Sequence, residues 1–318
     1  MKPRKGIFYT ELCRLLDIRY PIIQGAMANI GGPALVAAVS NAGGLGVLPT
    51  WSLSLEQLRR LIERTRELTS CPFGVNITPL SPKFTRTRAE LVVEKGVGVV
   101  TTGRADPRHP TVAFLRSHGV KVIGVVPSVK LALRLEEEGV EALVASGCEG
   151  GGHVGSVCSM ALIPQVVDAV KIPVIAAGGI GDHRGFVAAL AFGACGIQMG
   201  SRFIATEESE ASPREKQRLL EAGDEDTLVT TVFTGKPVRT LKSPQLESIL
   251  SAIAKGGNRE ELKAQILDLR RKKRGKHPEF TSVACGQGAG LVEGIAPAAA
   301  IITEIIEEAE ILCRALRA

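Results

Sequence analysis

Residues Lys121–Ser146 read KVIGVVPSVKLALRLEEEGVEALVAS, and three patterns follow one another in that stretch. Lys121–Val126 is a short β-branched apolar run, Val129–Glu138 repeats its apolar residues at three- and four-residue spacing, and Ala142–Ser146 is apolar again. The first and last patterns read as buried strands and the middle one as an amphipathic helix. A helix that joins two fully apolar strands returns the chain to the same edge, so the strands are parallel and covered on both faces.

The same alternation extends from residue 20 to about 203. Further strands are expected at Pro21–Gly25, Leu45–Pro49, Phe73–Ile77, Val97–Thr102, Pro173–Gly178 and Gly196–Gly200, with helices at Pro33–Asn41, Leu55–Leu68, Met160–Val170 and Arg184–Phe192. Eight parallel strands close a (β/α)8 TIM barrel. The barrel strands are expected within residues 1–204. Residues 205–280 are charge-rich, with helical stretches at Ser212–Ala222 and Arg259–Lys273, which predicts a mostly helical lid inserted after strand eight. Residues 281–318 return to apolar periodicity and supply the final barrel helix.

The 318 residues are 45% hydrophobic and 23% charged, which fits a globular chain and excludes disordered and fibrous classes. The opening MKPRKGIFYTELCRLLDIRY lacks the apolar core of a signal peptide, and no apolar run reaches membrane-spanning length, so a cytoplasmic location without membrane contact is expected. Seven cysteines without a CxxC pair read as reduced thiols rather than as a disulfide framework or zinc site. A net charge of +6 and a pI near 9.0 favour acidic partners: nucleic acid, an anionic cofactor or an acidic carrier protein. The basic run Arg270–Lys276 has no interleaved aromatic residues, so it reads as a solvated helix end and not as a nucleic-acid patch.

In such barrels the site forms at the carboxyl ends of the strands. Gln24, Gly25 and Ala26, Asn76, Thr102, and the Gly147–Gly155 loop with Glu149, Gly152 and His153 all fall there. Amides at two strand ends, Gln24 and Asn76, suit a planar heterocycle rich in donors and acceptors as well as they suit turns. Strands seven and eight end in Gly178-Gly179 and Gly200-Ser201, where glycines let backbone N–H groups approach an anion. A tight turn would explain either pair alone, whereas the two together at these strands predict a phosphate site. Gly150–Gly155 also matches G-x-G-x-x-G, but at the sixth βα unit and with four glycines in six residues it does not read as a dinucleotide fold. His153 is the only histidine in that loop; a lone histidine is usually structural, but at the rim it is placed for proton transfer to or from carbon. His109, His118, His183 and His277 have no clustered partners, so no metal site is expected.

Eight segments together, YPIIQGAMA (Tyr20–Ala28), SNAGGLG (Ser40–Gly46), PFGVNI (Pro72–Ile77), VVTTG (Val99–Gly103), EGGGHVG (Glu149–Gly155), IAAGGI (Ile175–Ile180), QMGSRF (Gln198–Phe203) and GQGAGL (Gly286–Leu291), carry a resemblance. The chain is similar over nearly its whole length to the FMN-dependent group of nitronate monooxygenases and flavin-dependent enoyl-acyl-carrier-protein reductases. That resemblance implies FMN, held around its ring by Gln24, Gly25, Ala26 and Asn76 and at its phosphate by Gly178, Gly179, Gly200 and Ser201. It also places Thr102, Glu149 and Gly152 at the cofactor, has Gln287 and Gly288 close the site, and matches His153 to the family's active-site histidine. Within the group, Val154 stands where the monooxygenases often carry arginine, and Met160–Ile180 looks more like the reductases. Val47–Trp51 departs from the glycine-rich stretch that usual reductases have after Gly46. The favoured expectation is NADH- or NADPH-dependent reduction of an enoyl thioester, on acyl-carrier protein or as a small molecule, by a homodimer. Oxidation of alkyl nitronates by O2 is the runner-up, and a non-catalytic flavin- or nucleic-acid-binding barrel is the weakest alternative.

Overall fold

A computed structural model describes residues 6–51, 53–102, 110–258, 261, 264 and 283–317. In chain order the strands are β1 (Ile22–Gln24), β2 (Leu45–Leu48), β3 (Gly74–Ile77), β4 (Val99–Thr102), β5 (Lys121–Val126), β6 (Ala142–Ser146), β7 (Gly152–His153), β8 (Val174–Ala177), β9 (Gly196–Met199), β10 (Thr227–Thr230) and β11 (Val238–Leu241). Eight of them, β1 to β6 with β8 and β9, form a closed parallel barrel in which β9 pairs back onto β1. This is the expected (β/α)8 architecture.

Alternation along each strand splits the apolar side chains into two sets. Ile23, Val47, Val99, Ile123, Val144 and Ile175 fill the barrel interior, whereas Ile22, Leu48, Val75 and Val100 face the surrounding helices. The helices start where the sequence supplies caps. Ser54 and Gln57 form a reciprocal capping box at α3 (Leu55–Leu68), and the Asp182 carboxylate accepts from Arg184 N and Gly185 N at the helix His183–Ala191. The last helix, Ala298–Ala315, packs on His183–Ala191 and on α2 (Pro33–Asn41), closing the ring.

The helix Glu11–Leu16, which the periodicity argument did not assign, plugs the amino end of the barrel. Leu12 and Leu16 are buried among the interior residues, and each contributes about 1.5–3 kcal/mol relative to an exposed position. The segment after β9 contains helices Pro213–Leu220 and Pro244–Ala254 and, in addition, an antiparallel hairpin of β10 and β11. That hairpin was not foreseen. The predicted helix Arg259–Lys273, the basic run Arg270–Lys276, His109 and His277 lie outside the described residues.

All seven cysteines are free thiols. Burial pushes the Cys195 and Cys285 thiols up to about 12, which keeps them protonated and inert. No helix among the described residues is long and apolar enough to cross a membrane.

Candidate active site

Register decides which strand-end residues look into the barrel mouth. Gln198 pairs with Ile23 and Ala177, both interior residues, so its side chain faces inward; Asn76 pairs with Thr101 on the same inward side. The Asn76 amide donates to Thr101 Oγ1 at 2.9 Å and accepts from Thr78 Oγ1 at 3.2 Å. Thr102 pairs with the outward Ile77, leaving Thr101 as the inward threonine of that strand.

Gln24 is fully buried and braces the backbone. Its carbonyl accepts from Val47 N at 3.1 Å and its NH2 donates to Gly25 O, so its influence on a bound ring runs through the Gly25 peptide it holds. Ala26 packs half-buried against the interior cluster. A Cβ on Gly25 would lie 3.2 Å from the Gln198 amide. The Gln198 side chain makes no hydrogen bond among the described residues and is half-buried, which leaves its amide available at the mouth. Gln198 lies in the segment QMGSRF, and its alternation with Ile197 and Met199 along β9 is the signal that marks it as inward.

The glycine-bearing ends of β8 and β9 come together with the loop after β6 and the turn at 286–288. Gly178 has φ +99° and Gly179 φ +73°, conformations that favour glycine. A Cβ on Gly178 would sit 2.8 Å from Ser159 Oγ and 3.1 Å from the Gly147 backbone. Gly288 lies against Gly179, with a virtual Cβ 3.5 Å from its carbonyl carbon, and Gln287 N donates to Glu149 O at 2.8 Å. Gly286 N donates to Ser201 Oγ at 2.8 Å. Glu149 accepts from Ser159 N with both carboxylate oxygens at 2.9 Å, joining the loop to the start of the helix Ser159–Ala169.

Strand-end bonds here run from Gly147 N to Ala177 O and from Gly25 N to Met199 O, and neither uses the amides of Gly178, Gly179, Gly200 or Ser201. Around Gly200 the nearest atom to a virtual Cβ is Met27 Sδ at 3.7 Å, and Ser201 opens a four-residue helix. Close-approach glycines beside a short helix after the last barrel strand are what a phosphate monoester needs. These residues fit the phosphate of the FMN that the resemblance implies, which they would hold.

His153 lies in the same loop after β6, on β7. Gly152 and His153 pair with Arg239 and Val238 of β11, so the histidine strand is the third member of the hairpin sheet. The imidazole is half-buried, and its Nε2 lies 3.0 Å from Thr234 Oγ1 in the hairpin turn. Arg239 donates to Cys148 O at 3.0 Å and to Thr227 Oγ1 at 2.8 Å, locking the hairpin to the loop that starts at Cys148. Burial, reinforced by the Glu149 carboxylate, raises the Cys148 thiol and keeps it protonated. Thr234 and Arg239 had no signal in the sequence, because their partners lie 81 and 91 residues away.

A family model described as nitronate monooxygenase matches residues 10–85 and 80–308. FabK from Thermotoga maritima is similar in structure, with TM-score 0.91 and 39% identity over 97% of this chain and 98% of that one. In sequence, a (3aS,4S,5R,7aS)-5-hydroxy-7a-methyl-1-oxo-octahydro-1H-indene-4-carboxyl-CoA dehydrogenase of Rhodococcus jostii is 39% identical over 76% of this chain and 67% of its own length. A probable nitronate monooxygenase of Staphylococcus saprophyticus is 35% identical over 74% of this chain and 79% of its own.

Proposed function

Since the chain belongs to the nitronate monooxygenase family of flavin oxidoreductases, we propose that it uses FMN and NADH or NADPH to reduce the double bond of an enoyl thioester. The observation that carries the choice within the family is the whole-chain likeness to FabK at 39% identity. The sequence resemblance of Met160–Ile180 to flavin-dependent enoyl reductases points the same way. So does Val154, which is buried beneath the hairpin with its N–H donating to Pro237 O at 3.1 Å, where the monooxygenases often carry a charged residue.

Bound with its phosphate at Gly178, Gly179, Gly200 and Ser201, FMN would supply the hydride relay between nicotinamide and the substrate β-carbon. The protein's own part is binding, orientation and one proton. Gln198 and the Gly25 peptide braced by Gln24 address the ring's edge at the barrel mouth. Reduction places a hydride on the β-carbon and a proton on the α-carbon, and His153 delivers that proton from an imidazole oriented by Thr234. The thioester would arrive on an acyl-carrier protein or on coenzyme A, and the +6 charge favours such acidic carriers. The second reading, oxidation of alkyl nitronates by O2, is favoured by the similarity to the S. saprophyticus protein.

Two measurements test this. Cofactor released from the purified protein is expected to have the mass of FMN; FAD, or no flavin after reconstitution, would remove the role given to the glycine cradle. Anaerobic mixing with NADH or NADPH is expected to bleach the flavin, with reoxidation by an enoyl thioester. Bleaching by an alkyl nitronate with no response to either nicotinamide would reverse the order of the two readings.

A further inference from the structure

The segment Val47–Trp51, which departs from the glycine-rich stretch of similar reductases, builds a feature of its own. Pro49, Trp51 and Leu53 line an open cleft of about 260 Å³ together with Gly32, with Arg60 from α3 and Glu210 from the segment after β9. That volume is just below the ~300 Å³ at which whole-ligand pockets begin, so the cleft suits one end of a longer molecule. Trp51 is the only tryptophan in the chain and is 42% exposed, an indole face left open in a concavity.

The three polar and aromatic groups differ in what they recognise. An open indole stacks on a planar base. Among the described residues Arg60 is held only by an exposed pair with Glu56 one helical turn away, an interaction weak enough to be exchanged for phosphate. The Glu210 carboxylate lies over Gly32, its backbone N–H donating to Ile30 O at 3.0 Å, and offers acceptors for ribose hydroxyls.

The cleft adjoins the flavin site through a single turn. Gly31 N donates to Met27 O at 2.9 Å, a Cβ on Gly31 would lie 3.3 Å from Gln24 Nε2, and Met27 Sδ is the atom facing Gly200. A ligand anchored in the cleft therefore needs to pass only this turn to reach the barrel mouth.

We propose that the Trp51 cleft binds the adenosine diphosphate moiety common to nicotinamide dinucleotides and coenzyme A thioesters, an inference that rests on the reductase reading for its use in turnover. Base on Trp51, ribose on Glu210 and diphosphate on Arg60 would hold the head group while the reactive end extends past Met27.

Because Trp51 is unique, its fluorescence in the FMN-loaded protein reports the site directly, and ADP alone is the probe. Titration is expected to give a saturable change, and Arg60→Ala to weaken it roughly ten- to a hundredfold by removing a charge-assisted contact. In Trp51→Ala, which loses the signal, calorimetry is expected to show ADP affinity reduced by at least about tenfold. Displacement of ADP by NADH or by coenzyme A then tells which carrier uses the cleft. No saturable response up to about 10 mM ADP, or an undiminished affinity in both variants, overturns the proposal even if the protein reduces enoyl thioesters. ADP binding in a protein that fails to oxidise NADH or NADPH would instead sink the reductase reading alone.

Discussion

His153→Ala is expected to retain FMN and to be reduced by NADH or NADPH as before, while its turnover of an enoyl thioester falls roughly 10²–10⁴-fold. The two half-reactions separate because only the second places a proton on carbon. The loop does not depend on the imidazole for its position. Backbone pairing of Gly152 and His153 with β11, the bond from Val154 N to Pro237 O, and the Arg239 contact with Cys148 O all survive truncation. What is lost is a half-buried imidazole whose Nε2 lies 3.0 Å from Thr234 Oγ1. Thr234→Val serves as the companion variant. It is expected to keep kcat within about tenfold and to move the alkaline limb of the pH profile, where a proton donor is lost, since it alters the imidazole's partner and not its presence. Near-normal enoyl turnover in His153→Ala, or loss of its flavin, would make the histidine a structural loop residue.

The barrel was legible because its signals are local. Each covered parallel strand reads as a continuous apolar run, so Lys121–Val126 and Ala142–Ser146 match the structure residue for residue, and Pro33–Asn41 and Leu55–Leu68 do the same among the helices. The hairpin was not legible for the opposite reason. Thr227–Thr230 and Val238–Leu241 are four-residue strands of mixed exposure inside a charge-rich segment, and their third partner is a two-residue strand that is contributed by a glycine loop far back in the chain. Nothing periodic survives at that length. The plug helix Glu11–Leu16 is six residues long, too short for periodicity to distinguish it from a turn.

Within the site, the glycine pairs and His153 could be singled out in sequence because they fall together at the predicted strand ends. The division of labour between amides could not. Gln24 and Gln198 look alike in sequence, and only the pairing of β9 with both β1 and β8 shows that Gln24 serves the backbone while Gln198 faces the mouth. Likewise the choice between Thr101 and Thr102 is a matter of one residue in register, which reverses the face of a strand.

Gly178→Ala is expected to lower FMN affinity roughly ten- to a hundredfold, and the structure separates the two reasons. The first is strain: at φ +99° an alanine is disfavoured by about 1–3 kcal/mol whether or not FMN is bound, so this part lowers apoprotein stability and leaves affinity untouched. The second is displacement. The new methyl would meet Ser159 Oγ at 2.8 Å and the Gly147 backbone at 3.1 Å. Ser159 Oγ cannot swing away freely, because it lies within hydrogen-bond distance of Glu149 Oε2, Ala177 O and Gly178 O, at 3.1, 3.2 and 2.8 Å. The Gly178-Gly179 turn must therefore shift, carrying with it the amides proposed to hold the phosphate. Gly119→Ala isolates the first reason, since Gly119 has φ +75° and nothing within 4 Å of a Cβ; it should melt lower without a comparable loss of FMN. Gly98→Ala, with open space and no positive φ, should change neither. Equal FMN affinity in Gly178→Ala and the wild type, measured by equilibrium dialysis on folded protein, would move the phosphate site away from the ends of β8 and β9.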